Sequence, residues 1–309
     1  MNHEIDRRTF LKRVGQTGGL IAAGGALEYF LAACGGNVQT GAPSSTTGPT
    51  TIPNKGLKIP GVLQWGSDFV GGAPYVFKDP KNPANLIGFE VEIMAAIGQL
   101  MNATPRQVET CYGEIDQALL ANKFDFVMNG WEITADRQKT ELFSEPYYRY
   151  GQQIVVRAND PRFASLNANS DIGLGPVEGL TVGTGQGYKA ADYLATDKKV
   201  NVKLYTGNLP FDDLKQKKID AVMVDVPIVA YYVQGAGPGS TPDPALKLIG
   251  KAQFFDVYIV GFNKSNPNAP TVLSEINQAI AVLKKNGALK QIYMKWSMWN
   301  DQQAQIGIM

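Results

Sequence analysis

Beyond residue 57 the apolar positions follow two alternating spacings, one typical of strands and the other of helices. In the clearest helical stretch, Phe89, Ile93 and Ile97 recur every four residues and share one face. A similar stripe covers residues 272–283. The predicted strands are residues 62–68, 124–128, 180–185, 202–207 and 219–225, and the other predicted helices are residues 114–123, 188–196, 210–218 and 227–234. This alternation predicts parallel sheets covered by helices on both faces, and the length of the region predicts two such sheets.

Residues 35–56 have a different composition, rich in Gly, Ser, Thr, Pro and Asn with few apolar side chains. Such a segment buries too little apolar surface to offset the entropy lost on ordering. We predict that residues 34–56 form a flexible tether that holds a folded body away from a membrane.

The N-terminus carries the marks of an export signal. Arg7 and Arg8 form a twin-arginine pair, and the moderately apolar residues 14–33 follow. That stretch contains a glutamine and a glutamate, so it is a poor transmembrane helix. It ends in Leu-Ala-Ala-Cys-Gly, which resembles the lipobox of bacterial lipoproteins, with Cys34 as the lipidated residue. We predict a signal peptide over residues 1–33 and a lipid anchor at Cys34 on the outer side of the cytoplasmic membrane. The alternative is an ordinary basic leader and a buried Cys34 thiol.

Composition and charge exclude several classes of binding partner and catalytic site. The chain has 309 residues, enough for about two domains, with 44% hydrophobic and 18% charged residues. Its formal net charge of +1 attracts neither nucleic acid nor anionic lipid. The one histidine, His3, lies in the predicted signal peptide, so the exported chain lacks Ser-His-Asp catalysis, Cys-His catalysis and histidine-ligated metals. We therefore predict no metal and no cofactor, and we expect Cys111 to be a buried thiol.

Polar residues follow several of the predicted strands. Asp68 ends the first strand and Asp225 ends a later one. Residues 129–132, with Arg137 close behind, follow an apolar strand, and residues 185–189 join a strand to a helix. Ligands of open α/β sheets bind beyond the carboxyl ends of the strands. Because arginine clamps a carboxylate and a carboxylate holds an ammonium group, these residues predict a site for a small zwitterion.

Six short motifs carry a resemblance to one known family. They are GFEVEI at residues 88–93, EITADR at 132–137, FSEPYY at 143–148, VGTGQG at 182–187, IDAVMVD at 219–225 and IYMKW at 292–296. Together they closely resemble the family 3 solute-binding proteins of ABC transporters, the polar amino-acid receptors, over residues 63–296. The resemblance implies a monomeric receptor that closes on a free amino acid and delivers it to a membrane permease, without nucleic acid as a partner.

The resemblance also implies a two-lobed α/β fold of the type II periplasmic-binding-protein class, each lobe a mostly parallel sheet flanked by helices. Lobe 1 would comprise residues 57–148 and 260–309, and lobe 2 residues 153–257. The hinges would lie near residues 149–152 and 258–259. Periplasmic binding proteins close on a ligand by bending at such hinges.

Four residues match positions that bind ligand in this family. Arg137 matches the arginine on the ligand α-carboxylate, and Asp225 matches the acid that accepts the α-ammonium. Gly130 would supply backbone contacts, and Asp68 matches a position that reaches the ligand side chain in some members. The alternatives are a solvated arginine at a helix start, an N-cap role for Asp225 and a strand-end turn at Asp68.

The chain departs from the family pattern on both sides of the predicted cleft. Glu132 stands where many relatives have Ser or Thr. In the loop that begins at Gly185, Tyr188 and Lys189 stand where relatives often have Thr. An extra residue within 67–75 also disturbs the position of the aromatic side chain that sandwiches the ligand. The candidates for that role are Phe69, Trp131 and Tyr75, with core packing as the alternative for each.

The predicted site has more acidic than basic groups. Asp68, Glu132 and Asp225 against Arg137 favour a cationic amino acid such as arginine or lysine, because unmatched buried carboxylates are unfavourable. If Lys189 points into the cleft, the balance shifts to a neutral or acidic amino acid.

Two other functions are compatible with the sequence. Cyclohexadienyl dehydratases share this fold, and a partly buried Glu132 with a raised pKa would be the general acid of such an enzyme. A sensor or adhesin that binds without transport is the second alternative.

Overall fold

The computed structural model describes residues 51–70, 72–207 and 209–309, which all belong to one compact unit. The strands are β1 (Val62–Ser67), β2 (Phe77–Asp79), β3 (Asn82–Ile87), β4 (Thr104–Glu109), β5 (Phe126–Val127), β6 (Glu141–Phe143), β7 (Tyr148–Arg157), β8 (Thr181–Gly185), β9 (Asn201–Tyr205), β10 (Ala221–Asp225), β11 (Leu246–Tyr258) and β12 (Gly261–Asn263). The helices are α1 (Phe89–Met101), α2 (Ile115–Leu120), α3 (Arg137–Thr140), α4 (Lys189–Leu194), α5 (Phe211–Lys215), α6 (Val226–Tyr232), α7 (Ala269–Lys285) and α8 (Ala288–Lys295).

These strands form two five-stranded sheets and a hairpin of β2 and β3. The sheet of lobe 1 has the order β4-β1-β5-β12-β6, and the sheet of lobe 2 has the order β11-β7-β10-β8-β9. In lobe 1, β1 runs parallel to β4 and β5, whereas β12 runs antiparallel to β5 and β6. In lobe 2, β8 runs parallel to β9 and β10, whereas β7 runs antiparallel to β10 and β11.

The two-lobed α/β class is confirmed, but each sheet is mixed rather than mostly parallel. Half of the pairings in each sheet are antiparallel. The antiparallel pairings involve the strands at the two points where the chain crosses between the lobes. These are β6 and β7 at the first crossing, and β11 and β12 at the second. A chain that crosses between sheets and returns must reverse direction, which a simple strand–helix alternation does not require.

The predicted apolar stripe of α1 is confirmed. Phe89, Ile93 and Ile97 are fully buried, and α1 packs against α7 and α8. The stripe of α7 is also buried, with Val272 and Ile276 among its core residues. This helical layer fixes β1, and with it the strand end from which Asp68 projects.

Two long strands cross between the lobes. β7 and β11 pair antiparallel along their length, and Tyr148 lies opposite Tyr258 at the end of the pairing. The register shifts between Ile249 and Gln253, and again between Gln253 and Asp256. The predicted hinge residues 149–152 and 258 fall in or at the end of this two-stranded ribbon; the lobe boundaries themselves stay predictions.

The predicted tether is wrong at its C-terminal end. Ile52 is buried, and its N–H donates to the carbonyl of Leu100 at 2.9 Å. The N–H of Lys55 donates to Glu275 at 3.0 Å. Residues 51–56 therefore belong to lobe 1, because Ile52 buries apolar surface that the surrounding polar composition concealed.

The predicted export features, Arg7, Arg8 and Cys34, and the remainder of the predicted tether lie outside the described residues. Within the described ranges, no helix combines the length and the apolar character needed to cross a bilayer.

Candidate functional site

A cavity of about 280 Å³ lies between the two sheets. Most of its lining residues lie at or just beyond strand ends, as the topology of open α/β sheets predicts. Its main lining residues are Asp68, Tyr75, Tyr112, Glu114, Asn129, Gly130 and Glu132 from lobe 1, and Gly185, Tyr188, Tyr205 and Asp225 from lobe 2. A volume of this order suits one small solute.

Asp225 is the buried acid on the lobe 2 side. It ends β10, and its carboxylate accepts hydrogen bonds from Gln152 Nε2 at 2.8 Å and from the hydroxyls of Tyr258 and Tyr75. The side chain makes no capping hydrogen bond to α6, so the structure gives the N-cap alternative no support. Burial raises the pKa of Asp225 to about 6, in spite of these hydrogen bonds.

Glu132 is the buried acid on the lobe 1 side, and it bridges the lobes. Its Oε2 accepts the backbone N–H of Lys189 at 2.9 Å, at the start of α4. Its Oε1 accepts a hydrogen bond from the hydroxyl of Tyr150 on β7. Burial and the nearby charge of Asp225 raise the pKa of Glu132 well above its usual value. The cavity thus holds two buried carboxylates that disfavour each other's ionisation.

Arg137 is engaged with protein groups. Its Nε and Nη2 donate to the two carboxylate oxygens of Asp116 at 3.1 and 3.3 Å, and its Nη1 donates to the carbonyl of Glu132 at 3.0 Å. Its guanidinium lies 3.3 Å from the ring centroid of Trp131. Arg137 is not among the described residues that line the cavity.

The comparisons with known proteins agree on one family. Residues 70–298 match the model of the bacterial extracellular solute-binding proteins, family 3. The chain belongs to this family.

Family 3 relatives support the assignment along most of the chain. The arginine-binding periplasmic protein of Mannheimia haemolytica is 30% identical over 223 residues, which cover 71% of this chain and 86% of that protein. An ancestral arginine-binding protein solved with arginine is 28% identical, with a TM-score of 0.64, covering 76% of this chain and 98% of that one. An ancestral arginine-binding protein solved with glutamine is 27% identical, with a TM-score of 0.65, covering 78% of this chain and all of that one.

The structure brings together part of the predicted family 3 site. Six of the ten predicted ligand-binding residues line the cavity: Asp68, Gly130, Glu132, Gly185, Tyr188 and Asp225. The Asp68 carboxylate accepts the N–H groups of Val70 and Tyr112 at 2.7 and 3.1 Å. The N–H of Gly130 donates to the buried Glu90 at 2.7 Å, so this amide is turned away from a ligand.

The other four predicted residues lie outside the cavity lining. Besides Arg137, these are Trp131, Phe69 and Lys189. Trp131 is fully buried and donates from Nε1 to Glu141 at 2.9 Å, which makes it a core residue. Phe69 lies under the Lys78 ammonium, 4.7 Å from it. The Lys189 ammonium donates to the carbonyl of Ile133 at 2.9 Å and lies 3.8 Å from Asp256, so it points away from the cavity.

Several contributing residues were missed by the sequence reasoning. Tyr112 of lobe 1 meets Tyr188 of lobe 2 edge to face, with ring centroids 5.0 Å apart. Tyr150 stacks on Tyr258 at 4.1 Å, and both hydroxyls serve buried carboxylates. For Tyr150 the sequence signal was the aromatic density of the FSEPYYRY segment, which does not say where each hydroxyl points.

Two smaller expectations concern Cys111 and metals. Cys111 is exposed and lines the cavity, so the expectation of a buried thiol is wrong. Within the described ranges, no cluster of three His, Cys, Asp or Glu residues is arranged to hold a metal ion.

Proposed function

We propose that this family 3 protein is an extracytoplasmic receptor that closes on a small cationic solute of the amino-acid class and delivers it to an ABC permease. One observation carries the choice of a cationic solute. Four carboxylates line the cavity, from Asp68, Glu114, Glu132 and Asp225, and none of the described lining residues is Lys or Arg. The arginine-binding relative and the arginine-bound ancestral structure support the same choice.

The proposed mechanism is closure of the lobes around the solute. Asp225 approaches the cavity from lobe 2, whereas Asp68 and Glu132 approach it from lobe 1. A cation between them contacts both lobes only when they are close together, so it stabilises the closed arrangement by its differential affinity. The ribbon of β7 and β11 is where the proposed bending would occur. The closed receptor would then dock on its permease as a monomer.

We propose binding without chemistry. Both oxygens of Glu132 accept hydrogen bonds from the protein itself, which opposes a role as a free general acid. Turnover of prephenate or arogenate by the purified protein would contradict this part of the proposal.

Attachment to the membrane completes the proposal. Names of its relatives place them in the periplasm, and the twin-arginine and lipobox patterns of this chain support export and lipidation at Cys34. The body from residue 51 would then face the outside of the cytoplasmic membrane.

The proposal is tested by a thermal-shift screen of the purified body, followed by calorimetry. Arginine, lysine and ornithine in large excess should raise the melting temperature, because a ligand that binds the folded state stabilises it by mass action. Glutamate and aspartate serve as matched ligands of opposite charge and should leave it unchanged. Stabilisation by the acidic amino acids alone would contradict a cation-binding cavity.

A further inference from the structure

The basic groups nearest the cavity are already paired. Arg137 donates three of its five guanidinium N–H groups to Asp116 and to the carbonyl of Glu132, and it does not line the cavity. The Lys189 ammonium is held by the carbonyl of Ile133. A ligand carboxylate entering the cavity would therefore meet neither of these cations among the described lining residues.

Four backbone N–H groups around the cavity also donate to protein acceptors. The N–H of Gly130 donates to Glu90, that of Tyr112 to Asp68, and that of Gln186 to the carbonyl of Tyr205. The N–H of Lys189 donates to Oε2 of Glu132 at 2.9 Å. Glu132 thus places a carboxylate of the protein itself on a donor that a ligand carboxylate would need.

The cavity favours positive charge in other ways. Glu132 and Asp225 are both nearly inaccessible, at 2% and 5% exposure, and buried carboxylates whose charge is incompletely compensated are costly. A ligand ammonium or guanidinium relieves that cost. The rings of Tyr75, Tyr112 and Tyr188 add faces that attract cations.

We infer that Glu132 is a specificity-determining residue that excludes the ligand α-carboxylate, so that the cavity prefers amine or guanidine cations lacking a carboxylate to the corresponding amino acids. This inference rests on the proposed function, because it assumes that a cation binds between the lobes. It refines the class of that cation. The matched pairs are arginine with agmatine and lysine with cadaverine, in which each second member lacks only the carboxylate.

Calorimetry on the purified protein tests the preference. We expect agmatine to bind at least about tenfold more tightly than arginine, and cadaverine to exceed lysine in the same direction. Arginine binding as tightly as agmatine, or more tightly, overturns the inference and leaves the proposed function intact. Absence of binding by all four cations contradicts the proposed function itself.

A variant pair assigns the preference to Glu132. Glu132→Ser frees the N–H of Lys189 and removes one negative charge, so the ratio of agmatine to arginine affinity should fall at least about tenfold. Glu145→Ser is the matched control, because it removes an exposed carboxylate that does not line the cavity and leaves that donor occupied. Its ratio should stay at the wild-type value. Equal ratios in the two variants would overturn the role of Glu132.

A second substitution at Glu132 keeps the inference testable if the serine variant misfolds. If Glu132→Ser does not give a cooperative melting transition, Glu132→Gln is used, because its amide oxygen retains an acceptor for Lys189 while the charge is lost. The ratio should then fall below the wild-type value, though by less than the roughly tenfold change expected when the donor is also freed. An unchanged ratio in Glu132→Gln overturns the inference.

Discussion

At the scale of single residues, the two buried carboxylates decide how the cavity behaves. Burial raises the pKa of Asp225 from 3.8 to about 6, so the folded protein holds this proton over a pH range in which the unfolded chain has lost it. Stability therefore falls as the pH rises through about 4 to 6 and stays lower above that range. A bound cation would offset this loss of stability by pairing with the ionised Asp225. The same buried charge therefore destabilises the empty protein and increases its affinity for a cation.

Asp225→Asn tests this link. Above about pH 6, the variant should unfold with a free energy higher than that of wild type by on the order of 1–3 kcal/mol, because no buried charge forms. The difference should shrink towards zero near pH 4. Affinity for a cation should fall at least about tenfold, since hydrogen bonds to charged groups contribute roughly 1.5–3 kcal/mol. Urea unfolding at the two pH values and calorimetry measure both effects.

The control for Asp225→Asn is Asp136→Asn, which removes a carboxylate from the exposed start of α3. It should leave cation binding unchanged and should not stabilise the protein at high pH. Equal destabilisation of Asp225→Asn at both pH values would mean that Asp225 serves packing rather than charge.

At the scale of elements, the features that depend on the local spacing of apolar residues were predictable from the sequence. The stripe of α1 was predictable because every fourth residue is apolar, and the position of Asp68 followed because a strand must end before it. The engagement of Arg137 was not predictable, because its partner Asp116 lies on α2, 21 residues earlier. No periodicity connects those two positions, and only the folded lobe brings them together.

The C-terminal segment shows the same limit. Residues 300–303 are four consecutive polar residues in the sequence, yet Gln303 is fully buried in a 3₁₀ helix, Asp301–Ile306. Its Oε1 accepts the N–H of Arg149 at 2.9 Å, and its Nε2 donates to the carbonyl of the same residue at 2.7 Å. One side chain thus satisfies both backbone groups of a residue on the crossing strand β7.

Gln303→Ala should therefore destabilise the protein by about 1–3 kcal/mol, because it leaves partly buried backbone groups of Arg149 unsatisfied. Gln305→Ala, an exposed position on the same 3₁₀ helix, is the matched control and should change the unfolding free energy by less than about 0.5 kcal/mol. Urea unfolding of both variants makes the comparison. Equal effects would show that the docking of the segment, rather than this side chain, stabilises β7.

At the scale of the whole molecule, delivery to a permease requires the binding body to stay at the membrane. The proposed function places attachment on Cys34, because the residues before it resemble a lipobox. A stably held lipoprotein needs more than one acyl chain, because a single chain binds membranes only marginally. The two cysteines of the chain allow the proposal to be tested with one substitution each.

The full-length chain, expressed in a bacterium with a twin-arginine pathway, should be recovered with the membrane fraction. Cys34→Ser removes the thiol that would be acylated, so at least about ten times more of the exported protein should appear in the soluble envelope fraction. Cys111→Ser should stay with the membrane, because that thiol lies in the folded body and lines the cavity. Membrane recovery of Cys34→Ser equal to wild type would contradict lipid anchoring at this residue. It would leave the cation site untouched, since the cavity is formed by residues of the folded body.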